Sequence, residues 1–328
     1  MRALVVTNLY PTAERPRLGR FVADQVEAMR GLGAEVELFT FELGARAYIP
    51  AARRLRRFLK ESSFDVVHAH YGLCGWVASL AGARPLVVTF HGTDVRHRLV
   101  GAGSRWLTRR IELTAGASRS TFEREGGRRG LPVRSPAAVL PCGFDPSRFR
   151  RMPRDQARTR LGLEPDGRYL LFPADPARRV KRHDRALEVA RLAGAELLST
   201  AEVDPAEMPA WINAAAAVIV TSESEGFGLV ALEALACGVP VLSTPVGIAP
   251  VAVSGTEGCL VAPFDAEAWA AAARVHLEAA DPRVDPDPAA ASFSAERMAE
   301  RVLAAYSGLA GSEPASESAR PESGARVP

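Results

Sequence analysis

Short apolar runs recur along this chain, each followed by a longer stretch of helical period. That alternation restricts the fold to β/α units built around parallel sheets. Ala3–Thr7 reads as a strand, Phe21–Leu32 as a helix closed by Gly33, and Glu35–Phe41 as the next strand. The stretch after Pro50 is helical, with Leu55, Phe58 and Leu59 on one face. Asp65–Ala69, Leu86–Phe90 and Ala138–Leu140 supply further strands, with helices between them. A Pro- and Arg-rich connection near residues 145–160 interrupts the pattern, which then restarts. Tyr169–Phe172, Ala195–Leu198, Ala217–Thr221 and Val239–Ser243 read as strands, and Asp184–Leu192, Leu229–Ala236, Ala266–Leu277 and Ala295–Tyr306 as helices. The 328 residues exceed what one hydrophobic core usually spans. The expectation is two consecutive α/β domains, at 1–150 and 151–292, and a C-terminal helix at 293–307. Residues 308–328, rich in Gly, Ser, Glu and Pro, have little to bury and are expected to form a disordered tail.

Composition bears on compartment and partners. The 47% hydrophobic and 24% charged content suits a soluble globular protein, and no apolar run approaches the ~20 residues a bilayer span needs. The opening Met1-Arg2-Ala3-Leu4-Val5-Val6-Thr7 reads as a first strand, too short in its apolar run for a leader. Cys74, Cys142, Cys237 and Cys259 are scattered, which points to a reducing, cytoplasmic compartment. The net charge of +3 hides a division: residues 1–150 hold 24 Lys and Arg against 13 Asp and Glu, and residues 151–328 hold 17 against 25. A basic half suits an anionic ligand, an anionic membrane surface or nucleic acid. Within residues 50–60, Arg53, Arg54, Arg56, Arg57 and Lys60 surround the Leu55, Phe58 and Leu59 stripe. Two readings stay open there. The segment is a basic amphipathic helix lying on the inner face of an anionic membrane, or its stripe packs on the sheet and its cations face water.

Ligands of such sheets bind outside the carboxyl ends of the strands. At one such end stands Thr221-Ser222-Glu223-Ser224-Glu225-Gly226-Phe227-Gly228-Leu229, leading into the Leu229–Ala236 helix. Glycines in that turn let backbone N–H groups approach a phosphate, and a helix N-terminus favours negative charge. Glu225 and Glu233, eight residues apart, are carboxylates able to accept sugar hydroxyls.

This string resembles the E-x7-E signature, EGFG-x-x-x-x-EA-x-A-x-G-x-P-V, of family 4 of the GT-B glycosyltransferases (glycosyl transferases group 1). Asn213-Ala214-Ala215-Ala216, Val139-Leu140-Pro141-Cys142-Gly143-Phe144-Asp145, Asp65-Val66-Val67-His68-Ala69-His70 and Thr89-Phe90-His91-Gly92-Thr93-Asp94 resemble other segments of that family. The similarity runs through most of residues 1–306. It implies two Rossmann-like domains facing each other across a cleft, with the C-terminal helix returning to the first. It also implies a retaining transferase that uses a UDP-, GDP- or ADP-linked sugar, with no metal or other cofactor, and a glycan, lipid-linked or small-molecule acceptor. Nucleic acid is not among the implied partners. By matching position, Glu225 touches the donor sugar, Glu233 holds the ribose hydroxyls, and Gly226, Phe227, Gly228 and Leu229 form the donor loop. His91 contacts the sugar beside the reacting centre, and Gly19 lets the β-phosphate approach a bare helix start. Lys181 and Arg178 answer the charge that develops on the leaving diphosphate. The chain departs from the family pattern at Pro176, at Leu18 and at Val251, where relatives carry arginine, a second glycine and glutamate.

Other chemistries lack their motifs. Gly31-Leu32-Gly33 ends a helix instead of following a strand, so it is not a dinucleotide fingerprint. There is no Walker-type G-x-x-x-x-G-K-[ST] and no G-x-S-x-G. His68 and His70 share a strand face but have no third metal ligand nearby in sequence. The rivals left standing are a nucleotide-sugar epimerase or phosphorylase of the same architecture, and a non-catalytic sugar-nucleotide binding module.

Overall fold

The computed structural model describes residues 1–123, 130–132, 136–201 and 203–310. Two parallel sheets account for the strands. The first is ordered β2-β1-β3-β4-β5-β6 and comprises β1 (Arg2–Thr7), β2 (Glu35–Thr40), β3 (Val66–His70), β4 (Leu86–Phe90), β5 (Leu113–Gly116) and β6 (Ala137–Val139). The second is ordered β11-β10-β9-β7-β8 and comprises β7 (Tyr169–Phe172), β8 (Glu196–Ser199), β9 (Ala217–Val220), β10 (Val241–Ser243) and β11 (Leu260–Val261). In each sheet the first strand has its successor on one side and the third strand on the other. That reversal, between β1 and β3 and between β7 and β9, is a topological switch point, where the loops diverge and leave a crevice.

The helices of the first half are α1 (Arg20–Gly31), α2 (Tyr48–Glu61), α3 (Gly72–Ala81), α4 (Thr93–Arg96) and α5 (Arg98–Leu107). Those of the second are α6 (Arg154–Leu161), α7 (His183–Ala193), α8 (Met208–Ala214), α9 (Leu229–Ala236), α10 (Ala249–Ala252), α11 (Ala266–Glu278), α12 (Pro288–Ala291) and α13 (Ala295–Ala310). They cover both faces of each sheet, and the central strands β3, β4, β5, β7, β9 and β10 are buried along their whole length. Leu4 and Val6 pack with Leu55 of α2, Ala78 of α3 and Leu107 of α5. Ala3 and Val5, on the alternate face, pack with Val22 and Met29 of α1 and with Met298, Val302 and Tyr306 of α13. The C-terminal helix therefore does return to the first sheet. It leaves the second half beside Phe144, whose N–H donates to Phe293 O and whose carbonyl accepts from Ala295 N.

The structure corrects several expectations. Residues 145–160 are not all connection: α6 begins at Arg154, and its inward face carries Arg154, Ala157 and Arg158 instead of an apolar stripe. Arg158 fits there because its Nε donates to Ala214 O at 3.1 Å and its guanidinium lies over the Tyr169 ring. Gly308, Leu309 and Ala310, expected in the tail, continue α13; the rest of the expected tail, 311–328, lies outside the described residues. On α2, Leu55 is fully buried and Phe58 and Leu59 pack against the core, whereas Arg53, Arg56, Arg57 and Lys60 are exposed. The stripe of residues 50–60 thus belongs to the sheet and is not available for insertion into a bilayer. Among the described residues, no helix is long and apolar enough to cross a membrane.

Candidate active site

The loops after β7 and β9 leave the switch point of the second sheet, and side chains stitch them together. Thr221, one residue past β9, donates its hydroxyl to the carbonyls of Lys181 and Arg182 at 3.0 and 2.9 Å. Glu223 N donates to Val180 O at 2.9 Å. Arg182 adopts a left-handed φ of 53° and reaches Asp184 at 2.6 Å and Glu223 at 2.7 Å. Sequence reasoning did not single out Arg182; as one arginine among several in a basic loop, it carried no local signal.

This stitching delivers Lys181 to Glu225. The ammonium lies 2.6 and 2.5 Å from the two carboxylate oxygens, and the side chains are 14% and 10% exposed. Ser222 donates its hydroxyl to Glu225 Oε1 at 2.6 Å. The pair is thus a largely desolvated, charge-assisted contact of the stronger kind. Gly228, at φ 88°, caps α9 without any side-chain hydrogen bond, and the first turn of the helix carries no acid. The loop backbone is held by Ile248 N donating to Phe227 O at 2.7 Å. Phe227 turns its ring into the core beside Phe293, so only its backbone belongs to the loop surface. Arg178 is not brought to the pair: it is exposed, and among the described residues its side chain makes no hydrogen bond or ion pair. Val251, on α10, is 59% exposed.

Glu233, in the middle of α9, faces a cavity of about 230 Å³ between the two halves. Pro173, Ala174 and Asp175 after β7, Thr200 after β8, and Met208 line it from the second half; Arg17, Arg20, Asp24 and Arg148 line it from the first. Burial pushes the Glu233 carboxyl up to about 7, with Arg148 pulling against it and Asp24 adding to the rise. Asp24 is itself raised by burial, which Arg20 at 2.8 Å and Arg148 at 3.4 Å offset.

Across the cleft, the first sheet presents the ends of β1, β3 and β4. His91 follows β4, and its carbonyl lies so close to Gly226 that a Cβ there would sit 3.2 Å away. The His91 ring is enclosed by Phe21 at 4.8 Å and Tyr71 at 4.5 Å, and stacks on His70. Burial first, and then His70, hold the His91 imidazole well below its ordinary range, so it is neutral at pH 7. Tyr71 makes the turn after β3 at φ 72°, a strained value for a bulky residue and a common mark of a functional crevice. Asp94 ties that turn to the next one, accepting from Gly72 N at 2.9 Å and His91 N at 3.0 Å, and burial pushes it up to about 6. Gly19 stands at the N-terminus of α1 with φ 64°; a Cβ there would meet Leu9 O at 2.0 Å, so only glycine fits. A larger basin of about 1330 Å³ opens beside it, between the β1–α1 and β2–α2 loops, and Asn8, Tyr10, Arg15, Glu42, Arg46 and Arg54 contribute to its walls.

His68 and His70 make side-chain contacts within the fold. His68 is bonded to Tyr306 and Thr89 at 2.6 and 2.7 Å, and His70 to His91 at 3.1 Å. Among the described residues, no three His, Cys, Asp or Glu side chains cluster to hold a metal. Cys74, Cys142, Cys237 and Cys259 are free thiols.

Comparison with known proteins agrees with this layout. Residues 18–148 match the model of Glycosyltransferase Family 4, and residues 174–279 match that of Glycosyl transferases group 1. A D-inositol 3-phosphate glycosyltransferase of Actinosynnema mirum is 34% identical over 300 residues, covering 74% of this chain and 72% of the relative. That of Frankia alni is 33% identical over 260 residues, covering 63% of this chain and 64% of the relative, so the chain spans about two thirds of the length of these proteins. Among solved structures, sucrose-phosphate synthase from Thermosynechococcus elongatus superposes with a TM-score of 0.69 at 19% identity, covering 94% of this chain and 96% of that one. Anabaena HepE in complex with UDP and glucose gives the same score and identity over 94% and 100%. With two parallel Rossmann-like sheets, both family models and relatives of this similarity, the chain belongs to the group 1, family 4 glycosyltransferases of GT-B fold.

Proposed function

We propose that the protein transfers a sugar from a nucleotide-sugar donor to a hydroxyl acceptor, with retention of anomeric configuration and without a bound metal. The observation that carries this is the desolvated Lys181–Glu225 pair, set at the switch point of the second sheet on the loop whose Gly226 lies against His91 across the cleft. A leaving nucleoside diphosphate gains negative charge as the glycosidic bond breaks. A lysine held there stabilises that charge more in the transition state than in the ground state. Glu225, steadied by Ser222, accepts donor-sugar hydroxyls, and Glu233 accepts those of the ribose in the adjoining cavity. Retention follows when the departing phosphate oxygen takes the acceptor's proton on the face it leaves. Closure of the cleft keeps water from intercepting the sugar.

On this reading residues 151–292 hold the donor and residues 1–150 the acceptor, in the basin beside Gly19. The relatives' name and the basin's Arg15, Arg46 and Arg54 make a phosphorylated polyol such as D-inositol 3-phosphate the first acceptor to test. The solved complexes make UDP the first nucleotide to test. The compartment is cytoplasmic, as the four free thiols suggest. Contact with an anionic membrane, if the acceptor is lipid-linked, falls to the outer face of α3 and α5 instead of α2. There Leu80, Leu99 and Trp106 are exposed, and Arg98, Arg105, Arg109 and Arg110 surround them. The test is incubation with UDP-, GDP- and ADP-sugars and an acceptor panel, with and without chelator, reading anomeric configuration by proton NMR. Transfer with retention that persists in chelator is expected. Inversion or metal dependence would overturn those parts of the reading. Nucleotide binding with neither transfer nor donor hydrolysis would leave a non-catalytic binding module.

A further inference from the structure

The sequence pairs His68 with His70 on one face of β3, and the fold stacks His91, the residue after β4, on His70. The rings of His68 and His70 lie 4.5 Å apart at 30°, and those of His70 and His91 5.4 Å apart at 25°. His68 uses Nδ1 on the Tyr306 hydroxyl and Nε2 on the Thr89 hydroxyl, so it has no nitrogen left for its neighbour. His70 is completely buried. Its Nδ1 meets His91 Nε2 at 3.1 Å, and its Nε2 is buried without a hydrogen-bond partner among the described residues.

That orphaned nitrogen decides where the protons sit. A neutral imidazole carries one N–H and one lone pair, and burial drives His70 down to about 3, so it is neutral. Were His91 to donate through Nε2–H, the His70 proton would have to sit on Nε2, as a buried donor facing nothing. Were His70 to donate through Nδ1–H, its Nε2 would hold only a bare lone pair. An orphaned buried N–H is the rarer and costlier of the two. We infer that His70 is a positioning residue which donates Nδ1–H to His91 Nε2 and thereby fixes His91 as the tautomer whose Nδ1–H is free to donate. A histidine's tautomer is set in this way by the bond its other nitrogen makes. His91 then serves the reaction as a fixed hydrogen-bond donor to an oxygen of the donor sugar and not as a general base. The role in the reaction rests on the proposed sugar transfer; the tautomer does not.

Long-range proton–nitrogen correlation on uniformly 15N-labelled protein reads the tautomer directly. The expected result is His91 protonated on Nδ1 and His70 protonated on Nδ1 across about pH 6 to about pH 8, since neither ring titrates in that window. His91 protonated on Nε2 in the native protein would overturn the inference. Two variants carry it to function. His70→Asn keeps an amide N–H near the Nδ1–H position, whereas His70→Phe keeps a ring and loses the donor. With folding confirmed by circular dichroism, His70→Phe should show mixed His91 tautomers and a kcat lowered about tenfold or more, at little change in acceptor KM. His70→Asn should keep the native tautomer and a kcat within about threefold. Equal kcat and an unchanged His91 tautomer in His70→Phe would refute the positioning role. Absence of any transfer by the native protein would instead refute the proposed function and leave the tautomer measurement standing.

Discussion

Lys181 and Glu225 hold each other with little solvent around them, so removing either strands the other's charge in a poorly hydrated pocket. Lys181→Ala should therefore lower kcat by about 10²-fold or more. Donor KM should change far less, and thermal melting should confirm that the fold survives. Near-native turnover in a folded variant would mean the diphosphate is held elsewhere. Glu233 makes a different claim, because its carboxyl is raised from an ordinary 4.5 to about 7 by burial. A raised carboxyl pKa means that the free fold prefers the protonated form. Its ionisation therefore costs stability, beginning as pH climbs past 4.5 and complete above about 7. A ribose whose hydroxyls donate to the carboxylate needs the ionised form, so the sign for binding is opposite. Affinity for a UDP-sugar, whose phosphates do not titrate near neutrality, should rise by up to about tenfold between about pH 6 and about pH 8, with proton release on binding below about pH 7. Calorimetry in buffers of different ionisation enthalpy measures both effects. Glu233→Gln should flatten them, and a pH-independent affinity in the native protein would remove Glu233 from the ribose site.

At the scale of elements, what could be read in advance followed from period and from turn chemistry. The β7 and β9 strands are apolar runs throughout, β1 and β4 nearly so, and the loop-to-helix turn at Gly226–Leu229 announces itself by its glycines. β5 was missed because Leu113-Thr114-Ala115-Gly116 is too short and mixed to stand out, and it is held between β4 and β6 by pairing. α6 was missed because its buried face carries two arginines, Arg158 held by the Ala214 carbonyl and the Tyr169 ring and Arg154 beside Asp281, all distant in sequence. Glu225 and Lys181 were legible as candidates, but their contact was not, since it depends on Thr221 gripping the Lys181 and Arg182 carbonyls. α2 and α5 show the same limit. Each is basic and amphipathic, yet α2 spends its stripe on the core while α5 leaves Leu99 81% and Trp106 47% exposed. Trp106 stacks on Trp76 of α3 at 5.0 Å, with Arg110 over it at 4.5 Å. From Tyr71 to Ile111 the one acidic residue is Asp94, which is buried. Such a face should pellet with vesicles containing phosphatidylglycerol at low salt and release as ionic strength rises. Trp106→Ser with Arg105→Glu should weaken pelleting severalfold, and Arg53→Glu with Arg57→Glu on α2 should do less. Equal pelleting with phosphatidylcholine alone, or none at all, would count against the membrane.

At the scale of the molecule, the two halves meet through arginines that reach across the cleft. Arg17, ahead of α1, donates to Thr200 O at 2.8 Å and also to Ala201 O, at the end of β8. Arg148 bridges Asp24 and Pro205 O, each at 3.4 Å, and Arg96 reaches Ser224 Oγ at 3.4 Å. Because the Arg17 and Arg148 bonds lie on the rim of the Glu233 cavity, they act on closure as well as on donor contact. Arg17→Ala removes the shortest of them. Losing bonds to a charged donor, worth roughly 1.5–3 kcal/mol each when buried and less at the exposed Arg17, should shift the population towards an open cleft. Without nucleotide, the variant should show a larger radius of gyration by small-angle scattering and faster amide exchange in residues 17–24 and 203–210. Its donor KM should rise several-fold, because part of the binding energy now goes into closing the cleft. Saturating nucleotide should restore the native radius, since a ligand bridging both halves supplies the contacts that Arg17 gave up. A variant with native radius and native exchange in the free state would show that the halves are held by the core around Phe144 and α13, with the arginines only lining the rim.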